Sequence, residues 1–261
     1  MCTTYPVGYN VHIDVYVVYS RYDVHMPADL PPLWERLERP AAAPRQTLTL
    51  DRIADTAVGI ADAEGLDAIT MRGLATRLGV APMAPYRHIQ NKDELLEVMV
   101  DRVYGELTLV RGATWRETLR EHALRTRALM HAHPWLTELP ATLSPLSPHR
   151  VGVVEHALSA LDGLGLDADT MMAVYRAVGF YTQGATEAEL TYQRFMRRQG
   201  FDSPTDLRIG MAPHMTYLMG TGRYPTYRRY LHEAAHKDDA DWQFATGLDA
   251  VLDGIETRFN L

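Results

Sequence analysis

A chain of 261 residues has room for two small domains or one large one. Its 46% apolar and 23% charged residues exclude a disordered or fibrous protein, and its single cysteine, Cys2, excludes an internal disulfide and fits a reducing cytoplasm. No apolar run approaches the roughly 18 residues needed to span a bilayer, and a formal net charge of −7 excludes a protein that coats nucleic acid through bulk positive charge, so any DNA binding must be local.

Residues 1–45 read as an extended or disordered arm, rich in Tyr and Val and then in Pro and Ala. The alternation at 15–19 suits a short strand but finds no partner nearby. Met26 is an alternative start, with residues 1–25 then encoded by upstream regulatory DNA. From Leu50 a helical period places Ile53, Ala57, Ile60 and Ala61 on one face, with Gly65 as the stop. Thr70 caps a second helix that buries Met71, Leu74, Ala75 and Leu78 and ends at Gly79. A short third helix over 81–89 opens with Pro82. Asn91, with Glu94 three residues later, caps a fourth that buries Leu95, Leu96, Met99 and Val103. Beyond Gly112, longer helices are predicted over 115–131, 150–164, 168–198 and 241–259. Breaks at Pro140 to Pro148 and around Pro204 and Pro213 separate them. The chain is expected to be all-α, with a helix-turn-helix domain over 46–106 and a second helical domain over 107–261.

The window from Thr70 to Lys92 contains no Asp or Glu but holds Arg72, Arg77, Arg87 and Lys92. On a helix-turn-helix such an island is suited to DNA, because the second helix enters the major groove while its flanks hold phosphates. Arg72 and Arg87 can make bidentate contacts to guanine edges or phosphates, and Lys92 can place a point charge near a phosphate. A solvated basic face on an ordinary bundle has the same charges.

The sequences AEGL at 63–66, TMRGLATRLG at 70–79, APMAPYRHI at 81–89 and NKDELL at 91–96 together resemble the DNA-binding domain of the tetracycline-repressor (TetR) family. The resemblance implies a base contact from Arg72, an apolar contact from Met83, phosphate contacts from Tyr86 and Lys92, and a buttressing or backbone contact from His88. Packing between helices is the other reading of Tyr86 and His88. Pro85 departs from the family pattern. A proline at the fourth position of a helix removes an intrahelical hydrogen bond, so the recognition helix is expected to start late or bend.

Weaker similarity to the C-terminal domain of the tetracycline-repressor subgroup follows, at HPWL over 133–136, TGRYP over 221–225 and FATGLDAVLDGIE over 244–256. It implies a homodimer, paired through the helices over 168–198 and 241–259, and a small-molecule effector. The stripe Ala245, Leu248, Leu252, Ile255 and Phe259 suits such pairing, though a face buried within one chain would look the same. Trp115, Met130, Trp135, Met172, Tyr175, Tyr181 and Gln183 have the mixed apolar and polar chemistry of an effector pocket, and equally of an ordinary core. No cofactor or metal is expected. The expected partners are double-stranded operator DNA, an unidentified effector and a second copy of the chain, with no membrane.

One run points elsewhere. His232-Glu233-Ala234-Ala235-His236 matches H-E-x-x-H, in which two histidines one turn apart bind zinc and the glutamate acts as base. It lacks the extended pattern's further Gly and His, and leaves Glu256 as a formal third ligand. A zinc-dependent hydrolase is therefore the alternative to a ligand-responsive, DNA-binding repressor.

Overall fold

The computed structural model describes residues 34–35, 48–139 and 146–261. The chain divides into two units, residues 1–43 and 44–261. In the first, only Trp34 and Glu35 are described, and both are helical. Almost all of the arm, with the strand at 15–19 and the alternative start, lies outside the described residues.

The second unit contains nine α-helices and no strand among its described residues: α1 (Leu50–Glu64), α2 (Met71–Leu78), α3 (Lys92–Tyr104), α4 (Trp115–Ala132), α5 (Pro148–Leu161), α6 (Ala168–Gln199), α7 (Pro204–Gly220), α8 (Pro225–Glu233) and α9 (Ala240–Phe259). Local chemistry sets the first boundaries. Gly65 ends α1 at φ 86°, a left-handed conformation that glycine adopts without a Cβ penalty, and its N–H donates to Ala61 O at 2.9 Å. Thr70 Oγ1 accepts from Gly73 N at 3.0 Å to open α2. Asn91 Oδ1 accepts from Glu94 N at 2.9 Å to open α3, while Glu94 Oε2 accepts from Gln90 N, also at 2.9 Å.

Two cores result. The first gathers Ile53, Ala57, Ile60, Leu74, Leu78, Ile89, Leu95, Met99 and Val103 from α1 to α3, and also takes in Leu129 of α4 and Trp135 from just beyond it. The second gathers Leu119, Ala123, Ala157, Leu161, Val174, Val178, Phe244, Leu248, Leu252 and Ile255. The stripe on α9 is therefore a face buried within one chain, against α6 and its neighbours.

One predicted break is corrected. Pro213 was expected to interrupt the chain, yet it lies inside α7. A proline there forfeits one bond to the preceding turn. Because α7 has no buried residue, water can satisfy the freed carbonyl.

α6 and α9 pack closely at Gly247. A Cβ there would lie 2.7 Å from Tyr181 Cζ, and the Tyr181 hydroxyl donates to Phe244 O at 2.8 Å. Gly247→Ala forces the ring out of its notch and breaks that bond, so it should cost about 1–3 kcal/mol in urea unfolding. Gly59→Ala, in open space on α1, should instead raise stability by about 0.5–1 kcal/mol. Equal effects at the two positions would refute this account of the α6–α9 contact.

Candidate nucleic-acid interface and sensor region

The link from α2 to α3 is not the predicted helix over 81–89. It is a 3₁₀ turn, Pro85–Arg87, entered through a bend. Pro82 and Pro85 bring no N–H, so the neighbouring donors turn to carbonyls three residues back: Ala84 N to Ala81 O at 2.9 Å, Arg87 N to Ala84 O at 3.2 Å and His88 N to Pro85 O at 3.0 Å. Pro85 and Ile89 are buried and anchor the turn to the first core. Met83, at 69% exposure, and Tyr86, at 40%, therefore point away from the protein. Arg87 is also exposed, and His88 is half-buried.

Electrostatics separates the four cations of the acid-free window. Arg77 is paired with Glu64 at the end of α1. Arg72, Arg87 and Lys92 are exposed, and none has a carboxylate within ion-pair distance among the described residues. Three free cations flank an apolar side chain and a phenol, which is the chemistry a groove edge and its phosphates require. Arg52 Nη2 donates to Leu78 O at 3.1 Å, which with the Glu64–Arg77 pair holds α1 and α2 together.

The seven side chains predicted to face an effector lie in different surroundings. Trp135 is buried in the first core, and its Nε1 donates to Asp62 Oδ1 at 2.7 Å. Trp115 is half-buried at the start of α4, Met130 is buried near its end, and Met172 and Gln183 are half-buried on α6. Tyr181 is committed to α9. Tyr175 lies 6.0 Å from the ring of His122. An open cleft of about 710 Å³ lies elsewhere, lined by Arg127, His131, Glu189, Gln193 and the acids of 238–241. Within it Arg127 is held by Glu189 and Asp241 at 3.0 and 2.7 Å, and His131 Nε2 lies 2.8 Å from Glu189 Oε2.

Sequence reasoning missed His122. It is buried on α4, beside a void of about 10 Å³ that Leu107, Val110, Arg125 and His156 also line. Burial, with His156 adding repulsion, lowers its pKa to about 4, so near neutral pH it presents an uncharged imidazole. A histidine between Leu119 and Ala123 on the apolar face of α4 was the available signal.

The H-E-x-x-H run does not form a metal-binding pair. α8 ends at Glu233 and Ala234 is extended, so His236 leaves the helix. Its ring stacks on Trp242, centroids 4.5 Å apart, and its Nδ1 lies 3.3 Å from Asp239. Glu256 pairs with Arg116 at 2.9 Å. Among the described residues, no three His, Cys, Asp or Glu side chains form a group that could hold a metal.

The family described as bacterial regulatory proteins, tetR family, matches residues 53–99, and the tetracyclin repressor-like C-terminal domain matches residues 110–259. The HTH-type transcriptional repressor DrrR1 of Streptomyces coeruleorubidus is 36% identical over 230 residues, covering 86% of this chain and 83% of that one. Crystal structures of ActR from Streptomyces coelicolor are 26% identical. The apo form superposes with a TM-score of 0.66 over 84% of this chain and 100% of ActR, and the complex with actinorhodin with 0.67 over 81% and 96%.

Proposed function

Because the chain belongs to the TetR family of ligand-responsive, DNA-binding transcriptional regulators, which are not enzymes, we propose that it is a repressor that binds a near-palindromic operator as a homodimer and releases it when a small molecule enters the C-terminal domain. The observation that carries this reading is the surface of exposed cations, Arg72, Arg87 and Lys92, which have no carboxylate partner among the described residues, around the exposed Met83 and Tyr86.

Two such surfaces in a dimer would enter successive major grooves, about 34–36 Å apart. A dimer face is supported by the outer sides of α6 and α9. Ala173, Ala177, Gly184 and Ala188 on α6 and Ala250 and Gly254 on α9 are exposed, with Phe180 at 70% and Trp242 at 47% among them. Small residues let helices approach closely, and the aromatics supply the area to bury. DrrR1's description as a repressor supports the sign of regulation, and the ActR complex with actinorhodin supports a small-molecule effector. Of the predicted pocket residues, Tyr175 is supported by its neighbour His122, a buried and neutral polar group that could orient a ligand. No helix of the described residues is long and apolar enough to cross a membrane, and the proposed site of action is the cytoplasm, where a bacterial operator lies.

The test is a titration of the purified protein against the DNA upstream of its own gene and against random-sequence libraries, at two salt concentrations. Specific binding that weakens steeply with salt is expected. Equal affinity for every sequence would overturn the operator reading.

A further inference from the structure

The two halves of the protein meet at a part-buried polar contact that no function yet uses. His133 follows the last residue of α4, and its side chain is 9% exposed. Its Nδ1 lies 2.8 Å from Asp62 Oδ1, and its Nε2 lies 3.2 Å from Glu106 Oε2. Two residues on, Trp135 Nε1 donates to the same Asp62 oxygen at 2.7 Å, from a ring that is 2% exposed. Asp62 is on α1 and Glu106 lies just past the end of α3. A segment of three residues from the C-terminal half therefore grips both ends of the DNA-binding half's frame. Hydrogen bonds to an ionised carboxylate are among the stronger ones, and two N–H groups converging on one oxygen fix its direction as well as its distance.

That grip acts on a rigid body. α1 is tied to α2 through the Glu64–Arg77 pair and the Arg52 bond to Leu78 O, so a tilt of α1 carries the recognition turn with it. At the other end the contact is tied to the sensor: two residues before His133, His131 is paired with Glu189 of α6, at the wall of the large cleft. Any movement of α4 against α6 reaches Asp62 through two residues of backbone.

We propose that Asp62 is a positioning residue for DNA recognition: held by His133 and Trp135, its carboxylate sets the angle at which the helix-turn-helix leaves the C-terminal domain. The role rests on the operator-binding reading above. Its test does not need that reading, because the angle is measured within one chain.

Spin labels are placed on Thr76→Cys, exposed on α2, and Glu155→Cys, exposed on α5, in a Cys2→Ser background. The labelled protein is diluted with excess unlabelled protein so that pairs within one chain dominate the dipolar signal. The parent is expected to give one narrow distance. Asp62→Ala is expected to broaden the distribution about twofold as the domain samples other tilts, with the helical circular dichroism unchanged. Asp62→Asn, which keeps an oxygen for the Trp135 N–H but loses the charge facing His133, should fall between the two. Glu106→Gln, at the exposed end of the contact, supplies a variant that will fold if the others do not, and it too should broaden the distribution.

Where the operator is in hand, a domain correctly tilted only about one time in ten binds about tenfold more weakly. The salt slope stays unchanged, because Asp62 is assigned no phosphate contact. Variants that lower thermal stability but keep the parent's narrow distance would show Asp62 to be only a packing group and would overturn the proposal. A narrow distance that widens in the variants of a protein with no specific DNA affinity would uphold the hinge and refute the operator reading.

Discussion

Replacing His122 by phenylalanine is expected to abolish about 3 kcal/mol of the stability that the protein loses between pH 7 and pH 4. In the folded chain burial, and then repulsion from His156, lowers the His122 pKa to about 4, against an ordinary value of 6.5. Above pH 6.5 the ring is neutral folded and unfolded, and it adds nothing to the pH dependence. As the pH falls through 6.5 the unfolded chain takes up a proton that the folded chain refuses until about pH 4. Stability therefore drops with acid across that window. At about 1.4 kcal/mol per unit, the gap amounts to about 3 kcal/mol. Phenylalanine is close in shape, can keep the tilted packing against Tyr175, 6.0 Å away, and cannot titrate. Urea unfolding at pH 7 and pH 4 checks the result through the difference between the two proteins, because the carboxylates titrate in both. Parallel stability curves would mean that the ring reaches water in the folded state.

How much of this was readable in the sequence depends on the reach of each interaction. Gly65, Thr70, Gly79 and Asn91 with Glu94 act within one turn of chain, and the structure places each at the boundary its chemistry predicts. Pro85 announced a disturbed recognition helix, but the form of the disturbance, a 3₁₀ turn pinned by two buried residues, depends on the first core beneath it. Pro213 misled because a proline reads as a break whether or not the helix around it is exposed. Contacts between distant residues left no local trace. Asp62 and His133 are 71 residues apart, and Arg127 and Asp241 are 114 apart. The stripe on α9 shows the same limit from the other side: periodicity states that a face is buried, not by which chain. The cations of the proposed DNA surface were legible as types, while the distinction between Arg77, which Glu64 occupies, and Arg72 and Arg87, which no carboxylate occupies among the described residues, required three dimensions.

That distinction yields the largest expected effect on function. The double variant Arg72→Ala, Arg87→Ala should bind specific operator DNA about 100-fold or more weakly than the parent, since a bidentate arginine contact to a base is worth about 1–3 kcal/mol and 1.4 kcal/mol is a factor of about ten. Both side chains are exposed and carry no carboxylate partner among the described residues, so removing them leaves no buried charge behind and the melting temperature should stay near the parent's. Arg77→Ala, by contrast, removes a guanidinium whose charge Glu64 already meets on the protein surface, and an exposed pair of that kind contributes only about 0–1 kcal/mol. It should change affinity little. Lys92→Ala separates phosphate from base contact: it should weaken all sequences alike and reduce the salt slope by about one. Anisotropy titrations of a labelled operator and a scrambled duplex, at two salt concentrations, read all three variants. If the arginine pair proves no more costly than Arg77, Arg72 and Arg87 are not the residues that meet the bases, and the exposed Met83 and Tyr86 would have to carry recognition through shape and apolar contact instead.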